Sequence, residues 1–387
     1  MGTAPVNGKL QFALATAADD AALRRLLRDH PMPGRISLSL EREPDYFADA
    51  DLPGETKQTI VARDGGRVIC AGSCVVRRRF VNGEPLRVGY LGGLRLDQRH
   101  AGRFDILRRG YEFLRELQTD DPAAFYFTSI AADNERARKF LERGLPGMPK
   151  YELIGEFVTC LMPVQNFRRS RRKETLSKNS KSQVPNSESI QSLLTSTPTN
   201  EIVARLNEHN RRCQLGPCWT AEELAALQPL GLRTQDFLFV GKGGKVAGAA
   251  ALWDQRAFKQ TVVRGYAPWL ERARPVLNLF ARFTGELRLP AVGKTVAHAF
   301  VSHLAVAEDD REAFIALVQE LRGVAAQRGI EFLTIGFDAN DPRLTTWRKH
   351  FRGREYRSRL YIVRWPGIGG AANELQARLL APEVALL

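Results

Sequence analysis

Apolar and polar positions in the first part of the chain alternate between two periods. Leu10–Thr16 reads as a strand, and from about Asp19 a helical period takes over, with Leu23, Leu26 and Leu27 on one face and acidic residues in the first turn. After a polar stretch, Thr59–Ala62 and Arg67–Arg79 predict two strands joined by the tight turn Asp64-Gly-Gly66. Asn82-Gly83 marks a further turn, and Leu86–Leu96 supplies the next strand. From Phe104, apolar residues at 104, 107, 111 and 114 return to the helical period, before the buried strand Phe125–Ile130. This succession of strands and helices ends near Val164.

The plan then recurs. Helices from about Glu201 and Thr220 precede the strand Asp236–Val240, the turn Gly241–Gly244 and the strand Lys245–Trp253. Thr295–Val306 reads as a strand, and Phe314, Leu317, Val318, Leu321 and Val324 stripe the helix after it. Phe332–Phe337 is a buried strand followed by Asn340, which stands where Asn134 stands in the first half. The offset between halves is 210 at Phe104/Phe314 and 206 at Asn134/Asn340, so the pattern predicts a tandem duplication. The fold class expected is α/β (an α+β mixed sheet), with two tandem domains, each a mixed central sheet flanked by helices. The boundaries expected are 1–165, a basic linker at 166–200, 201–366, and a tail at 367–387.

The linker is rich in Ser, Asn, Thr, Lys and Arg. A nucleic-acid-binding arm is the alternative reading, but Phe167 is its one aromatic residue, which leaves little for base stacking, so a linker is preferred. The net charge of +14 favours anionic partners; coenzyme A, nucleic acid, an acidic peptide and an anionic membrane all qualify by charge. No apolar run is long enough for a transmembrane helix, and residues 1–9 have no apolar core of the signal-peptide kind. The expectation is a cytoplasmic protein without a membrane partner. Cys70, Cys74, Cys160, Cys213 and Cys218 contain no Cys-x-x-Cys pair, which predicts reduced thiols and no metal site.

The segment Leu94-Arg95-Leu96-Asp97-Gln98-Arg99-His100-Ala101-Gly102-Arg103-Phe104 runs from a strand through a turn into a helix. Backbone N–H groups, the positive end of a helix and a glycine gather at one place, which suits an anion. In the second half, Asp309 stands for Arg99 and Glu312 for Gly102, so like-charge repulsion opposes an anion there. The first loop resembles the pyrophosphate loop of the GCN5-related N-acetyltransferase family, Arg/Gln-x-x-Gly-x-Gly/Ala, with Phe104 in place of the last small residue. Asn134-Glu-Arg-Ala137 resembles the same family's Asn-x-x-Ala helix.

The resemblance implies a cofactor site of Leu94, Arg95, Leu96, Arg99, His100, Ala101, Gly102, Arg103, Phe104 and Asn134, in which amides of His100–Phe104 hold a pyrophosphate and Leu94, Arg95 and Leu96 pair with a pantetheine arm. The implied co-substrate is acetyl-CoA or another acyl-CoA, and the implied reaction is acyl transfer to an amine of a small molecule or peptide. The second half would be structural or acceptor-shaping. No catalytic residue is assigned: the family's tyrosine position holds Leu141, and Gly89-Tyr-Leu-Gly-Gly-Leu94 carries no acid. Gly92-Gly93 reads as a bulge or a close approach of backbone to ligand. Tyr90 and Tyr151 are the remaining proton-donor candidates. A Fem-like aminoacyl-tRNA-dependent transferase and an inactive binding or scaffold protein are the alternatives. His298 and His303, at odd separation on a strand, point to opposite faces and do not share a metal. Trp253, Phe258, Tyr266 and Trp269 are expected to fill a core rather than line a pocket.

Overall fold

The protein is described by a computed structural model covering residues 10–52, 54–164, 198–242, 245–284, 288–365 and 375–387; most of the basic linker lies outside these residues. The first half comprises β1 (Gln11–Leu14), α1 (Asp20–Asp29), β2 (Ile36–Glu41), β3 (Glu55–Asp64), β4 (Arg67–Val81), β5 (Glu84–Leu96), α2 (Phe104–Leu117), β6 (Phe125–Ala131), α3 (Glu135–Leu141) and β7 (Lys150–Pro163). The second comprises α4 (Thr199–Asn210), α5 (Ala221–Ala225), β8 (Phe237–Lys242), β9 (Lys245–Trp253), β10 (Gln260–Tyr266), α6 (Pro268–Thr284), β11 (His298–Val306), α7 (Arg311–Gln327), β12 (Phe332–Asp338), α8 (Pro342–His350) and β13 (Arg354–Arg364).

Eleven strands form one mixed sheet in the order β1-β3-β4-β5-β6-β13-β7-β12-β11-β9-β8. The two halves share this sheet because they exchange their last strands. β7 pairs with β12 from Phe157↔Asp338 to Pro163↔Phe332, and β13 pairs with β6 from Ser358↔Ala131 to Val363↔Tyr126. The side chains explain the exchange. Val158, Cys160 and Met162 of β7, at the strand period of two, enter the second half's core with Phe314, Leu317 and Leu321 of α7. Leu360 and Ile362 of β13 enter a central core with Val88, Phe125 and Phe127 of the first half.

A second tie is less visible in the sequence. The stretch read as polar between α1 and β3 contains β2, which pairs antiparallel with β10 of the other half. Ser39 and Glu41 are buried there because the Arg264 guanidinium donates to Ser39 Oγ at 3.1 Å and to Glu41 Oε1 at 2.8 Å. The polar residues of this alternating strand are therefore paired with a charge some 220 residues away. Among the described residues no helix is long and apolar enough to cross a membrane.

Candidate functional site

The first half contains a split between two parallel strands. β5 and β6 pair only at Val88↔Phe125, Gly89↔Tyr126 and Tyr90↔Phe127. Beyond that point β5 continues against β4 and β6 against β13, so their facing edges separate. Thr128 Oγ1 donates to the Leu91 carbonyl at 2.7 Å and closes the bottom of the split. Just above, the β4–β5 register slips between Ser73↔Gly92 and Ala71↔Arg95, and Gly93 takes φ +65°. The glycine pair is therefore a bulge, which turns the β5 backbone at the split. Among the described residues no strand or bridge pairs across the split beyond Tyr90.

The loop Asp97–Arg103 stands at the mouth, where β5 ends. His100, Ala101 and Arg103 spend their amides on Asp97, Gln98 and His100 carbonyls at 2.8–3.1 Å, whereas the amides of Gly102 and Phe104 have no acceptor among the described residues. Gly102 adopts φ +91°, and a Cβ there would meet nothing within 4 Å. α2 begins at Phe104 with Arg103 as N-cap and no capping side chain. The Asp105 carboxylate lies against the Asp105 and Ile106 amides of this first turn, which leaves the Phe104 amide as the donor open to an anion. Phe104 does not crowd the loop: its ring lies edge-on against Phe140 of α3, centroids 5.6 Å apart, and so ties the loop to the Asn134 helix.

Both loop arginines are already partnered. Arg99 Nη2 lies 2.6 Å from Asp97 Oδ2, and this bond holds the buried Asp97 carboxyl below its ordinary range. Arg67 at 3.5 Å and His30 at 3.8 Å also face Asp97, so Arg99 can turn to a phosphate without stranding a bare carboxylate. Arg103 Nη2 lies 2.5 Å from Asp105 Oδ2 and holds that carboxyl down as well. Asn134 is the N-cap of α3, its side chain accepting the Ala137 amide at 3.2 Å.

The tyrosines differ. Tyr151 and Tyr111 share a hydrogen bond between their hydroxyls, and burial pushes Tyr151 well above its ordinary pKa. Tyr90 packs on Phe127 at the root of the split, its phenol pushed up by burial to about 12. A group held protonated in this way donates but does not act as a base. Leu141 is buried.

The second half has the same split, and it is filled. β11 and β12 pair only from His298↔Phe332 to Phe300↔Thr334, then part. The β11–β9 register slips between Ser302 and Ala305, and His303, 210 residues after Gly93, takes φ +55°. This duplicated bulge was not legible from composition. Its amide is taken by Glu383 Oε2 at 2.7 Å, and the turn Val384–Leu386 lies against both β11 and β12. Gln255 Nε2 donates to the Ala385 carbonyl and Lys259 Nζ to the Leu387 oxygen, each at 3.0 Å. α7 also differs from α2: Asp310 caps it by accepting the Ala313 amide at 3.0 Å. The chain's own residues occupy this split.

His298 and His303 do not meet. His298 lies between Thr261 and Thr334, while His303 stacks on Trp219 at 4.6 Å. Trp253, Phe258 and Tyr266 are core residues, but Trp269 is 58 % exposed. His209, Cys213 and Glu308 bring ligand atoms within 4.8 Å of one another, a grouping the sequence hid because Glu308 comes from β11's end. The Arg343 guanidinium lies 3.4 Å from His209 Nε2 and opposes a cation there. A cavity of about 1150 Å³ opens beside it, lined by Glu152, Arg212, Asp338, Asn340, Arg364 and Arg378 among others and by none of Leu94–Phe104.

No family model and no curated protein matches the sequence. Solved structures do match the fold. Saccharomyces cerevisiae N-myristoyltransferase with bound myristoyl-CoA superposes with a TM-score of 0.59 at 10% identity, over 96% of this chain and 87% of that one. The same yeast enzyme with myristoyl-CoA and inhibitors gives 0.58 at 12% identity, over 97% and 85%. A GCN5-related N-acetyltransferase from Sphaerobacter thermophilus gives 0.52 at 15% identity, over 94% and 98%. The chain thus has the GCN5-related N-acetyltransferase fold, built as two tandem domains.

Proposed function

We propose that this protein is an acyl-CoA-dependent N-acyltransferase whose co-substrate lies in the split of the first half. The observation that carries the proposal is the open β5–β6 split with an uncapped, glycine-containing anion loop at its mouth. The diphosphate sits on the Gly102 and Phe104 amides with Arg99 and Arg103 beside it, and the pantetheine arm runs along the β5 edge at Leu94–Leu96. The bulge at Gly93 brings backbone amides to the thioester carbonyl, where they stabilise the negative charge that develops as an amine attacks. The C–N bond forms, the C–S bond breaks, and the proton that the amine nitrogen loses balances the one that the leaving sulfur takes up. Holding thioester and amine in line supplies much of the rate.

On this reading residues 1–165 are the acyl-CoA domain, and 201–366 shape the acceptor site or support the first domain. The yeast neighbour's bound myristoyl-CoA supports an acyl-CoA in general. Titration calorimetry with acetyl-CoA and a long-chain acyl-CoA tests the proposal. It predicts one site per chain that Gly102→Glu weakens; unchanged affinity in a folded Gly102→Glu protein would sink the placement.

A further inference from the structure

The helix α6 is turned inside out. Its inner face rests on β10 through Leu270, which packs with Val263 and Tyr266, but it also presents polar groups inward. Asn278 exchanges two hydrogen bonds with the Leu289 backbone, at 2.7 and 2.9 Å, and Arg274 donates to the Pro290 carbonyl at 3.0 Å. The outer face is apolar: Trp269 is 58 % exposed, Val276 56 %, Leu279 53 % and Phe280 61 %, with Leu277 at 44 %. At about 100° per residue, positions 269, 273, 276 and 280 form one stripe along the helix, with Leu277 and Leu279 on its flanks. Val292, in the loop that returns beneath the helix, adds a further exposed apolar side chain. A stripe of exposed large apolar side chains along one helix face marks a binding face rather than scatter.

Charge identifies the occupant. Among the described residues, three exposed basic side chains on the helix and the loop after it outnumber one exposed acid. Arg272, Arg288 and Lys294 are exposed, with Glu271 the acid at the helix start. A second copy of a +14 chain would bring like charge to the rim of the stripe. An anionic bilayer surface offers what both parts of the face need: acyl chains for the Trp/Val/Leu/Phe stripe and headgroups for the basic rim. We propose that α6 docks the protein in the plane of an anionic membrane surface. This revises the sequence-based expectation of no membrane partner, and it is independent of the acyl-CoA reading.

The tryptophans make the test specific. Of five, Trp219, Trp253, Trp347 and Trp365 are buried, so a change in emission on docking reports Trp269. The full chain is titrated with vesicles of phosphatidylcholine alone and of phosphatidylcholine with phosphatidylserine, some carrying brominated acyl chains. The expected result is co-sedimentation with the anionic vesicles, a blue shift and bromine quenching, all reduced by salt. Val276→Glu with Leu279→Glu, at exposed positions that leave the core untouched, should weaken partitioning by about tenfold or more. Trp269→Phe should abolish the blue shift while vesicles still carry the protein down. Absence of binding to anionic vesicles overturns the proposal, as does binding that the double variant leaves unchanged. Self-association without vesicles that shields Trp269 would assign the face to a second copy instead and overturn it too.

Discussion

The two halves contain one strand split each, built alike and used differently. In both, parallel strands separate after three paired residues, and the longer strand bulges at a left-handed residue, Gly93 or His303. In the first half the edges stay apart among the described residues, and the helix beyond the loop starts without a capping side chain. In the second, Glu383 takes the bulge amide, the turn Val384–Leu386 occupies the gap, and Asp310 caps the helix. The filled copy shows what such a bulge amide binds: a carboxyl oxygen, here of the buried Glu383, whose pKa burial raises. Duplication has left one open groove and one filled socket in a single sheet.

Breaking the socket should have the largest effect. Arg79, 1 % exposed, donates to the Leu215 and Pro382 carbonyls at 2.8 and 2.9 Å and so anchors the segment that fills the second split. Arg79→Ala leaves a cavity and two unpaired carbonyls, for an expected loss of about 3–5 kcal/mol by urea unfolding. It should also make the segment after Pro382 sensitive to carboxypeptidase. A variant as stable as the parent would show that the socket does not hold the halves together.

Acid should act next, and on the same region. Burial holds His209 and His303 down to about 3, below the ordinary value of 6.5. Between those values the unfolded chain binds more protons, so stability is full above about pH 6.5 and falls as pH drops. At pH 5 each histidine should cost about 2 kcal/mol, read as a falling thermal midpoint. A midpoint flat from pH 7 to 5 would mean that neither imidazole is buried neutral.

Closing the open split should cost binding in a chain that still folds. Gly102→Glu puts a negative charge at the loop and an L side chain at φ +91°, with room around it. The expected change is at least about tenfold in acyl-CoA affinity, about 1.4 kcal/mol, with about 1–2 kcal/mol of stability lost to the left-handed backbone. The converse, Glu312→Gly, should do least. Binding stoichiometry should stay at one, because Asp310 still caps α7 and the turn Val384–Leu386 still fills the split. A second site in that variant would show that charge alone silenced the second half.

What was legible in the sequence was local. Helical and strand periods, the Asp64-Gly-Gly66 hairpin, the glycine pair at the bulge and the Arg99–Phe104 loop are all written within a few residues of one another. What escaped was long-range. β2 alternates Ile36, Leu38 and Leu40 with polar residues, but the strand it pairs with, β10, comes from the other half, and the strand exchange leaves each half with a normal strand count. His303 looked like one step in a regular alternation, but the bulge between Ser302 and Ala305 breaks the period there. Its partner Glu383 lies 80 residues on. The arginines of the loop are held by Asp97 and Asp105, two residues from each.

Hydrogen exchange with and without a saturating acyl-CoA tests the central contrast most directly, because it reads both splits in one molecule. The account predicts new protection at residues 91–106 and 125–137 and none at 301–314 or 333–343. Protection at the second split, or unchanged exchange at both in the presence of acetyl- and long-chain acyl-CoA, would contradict it.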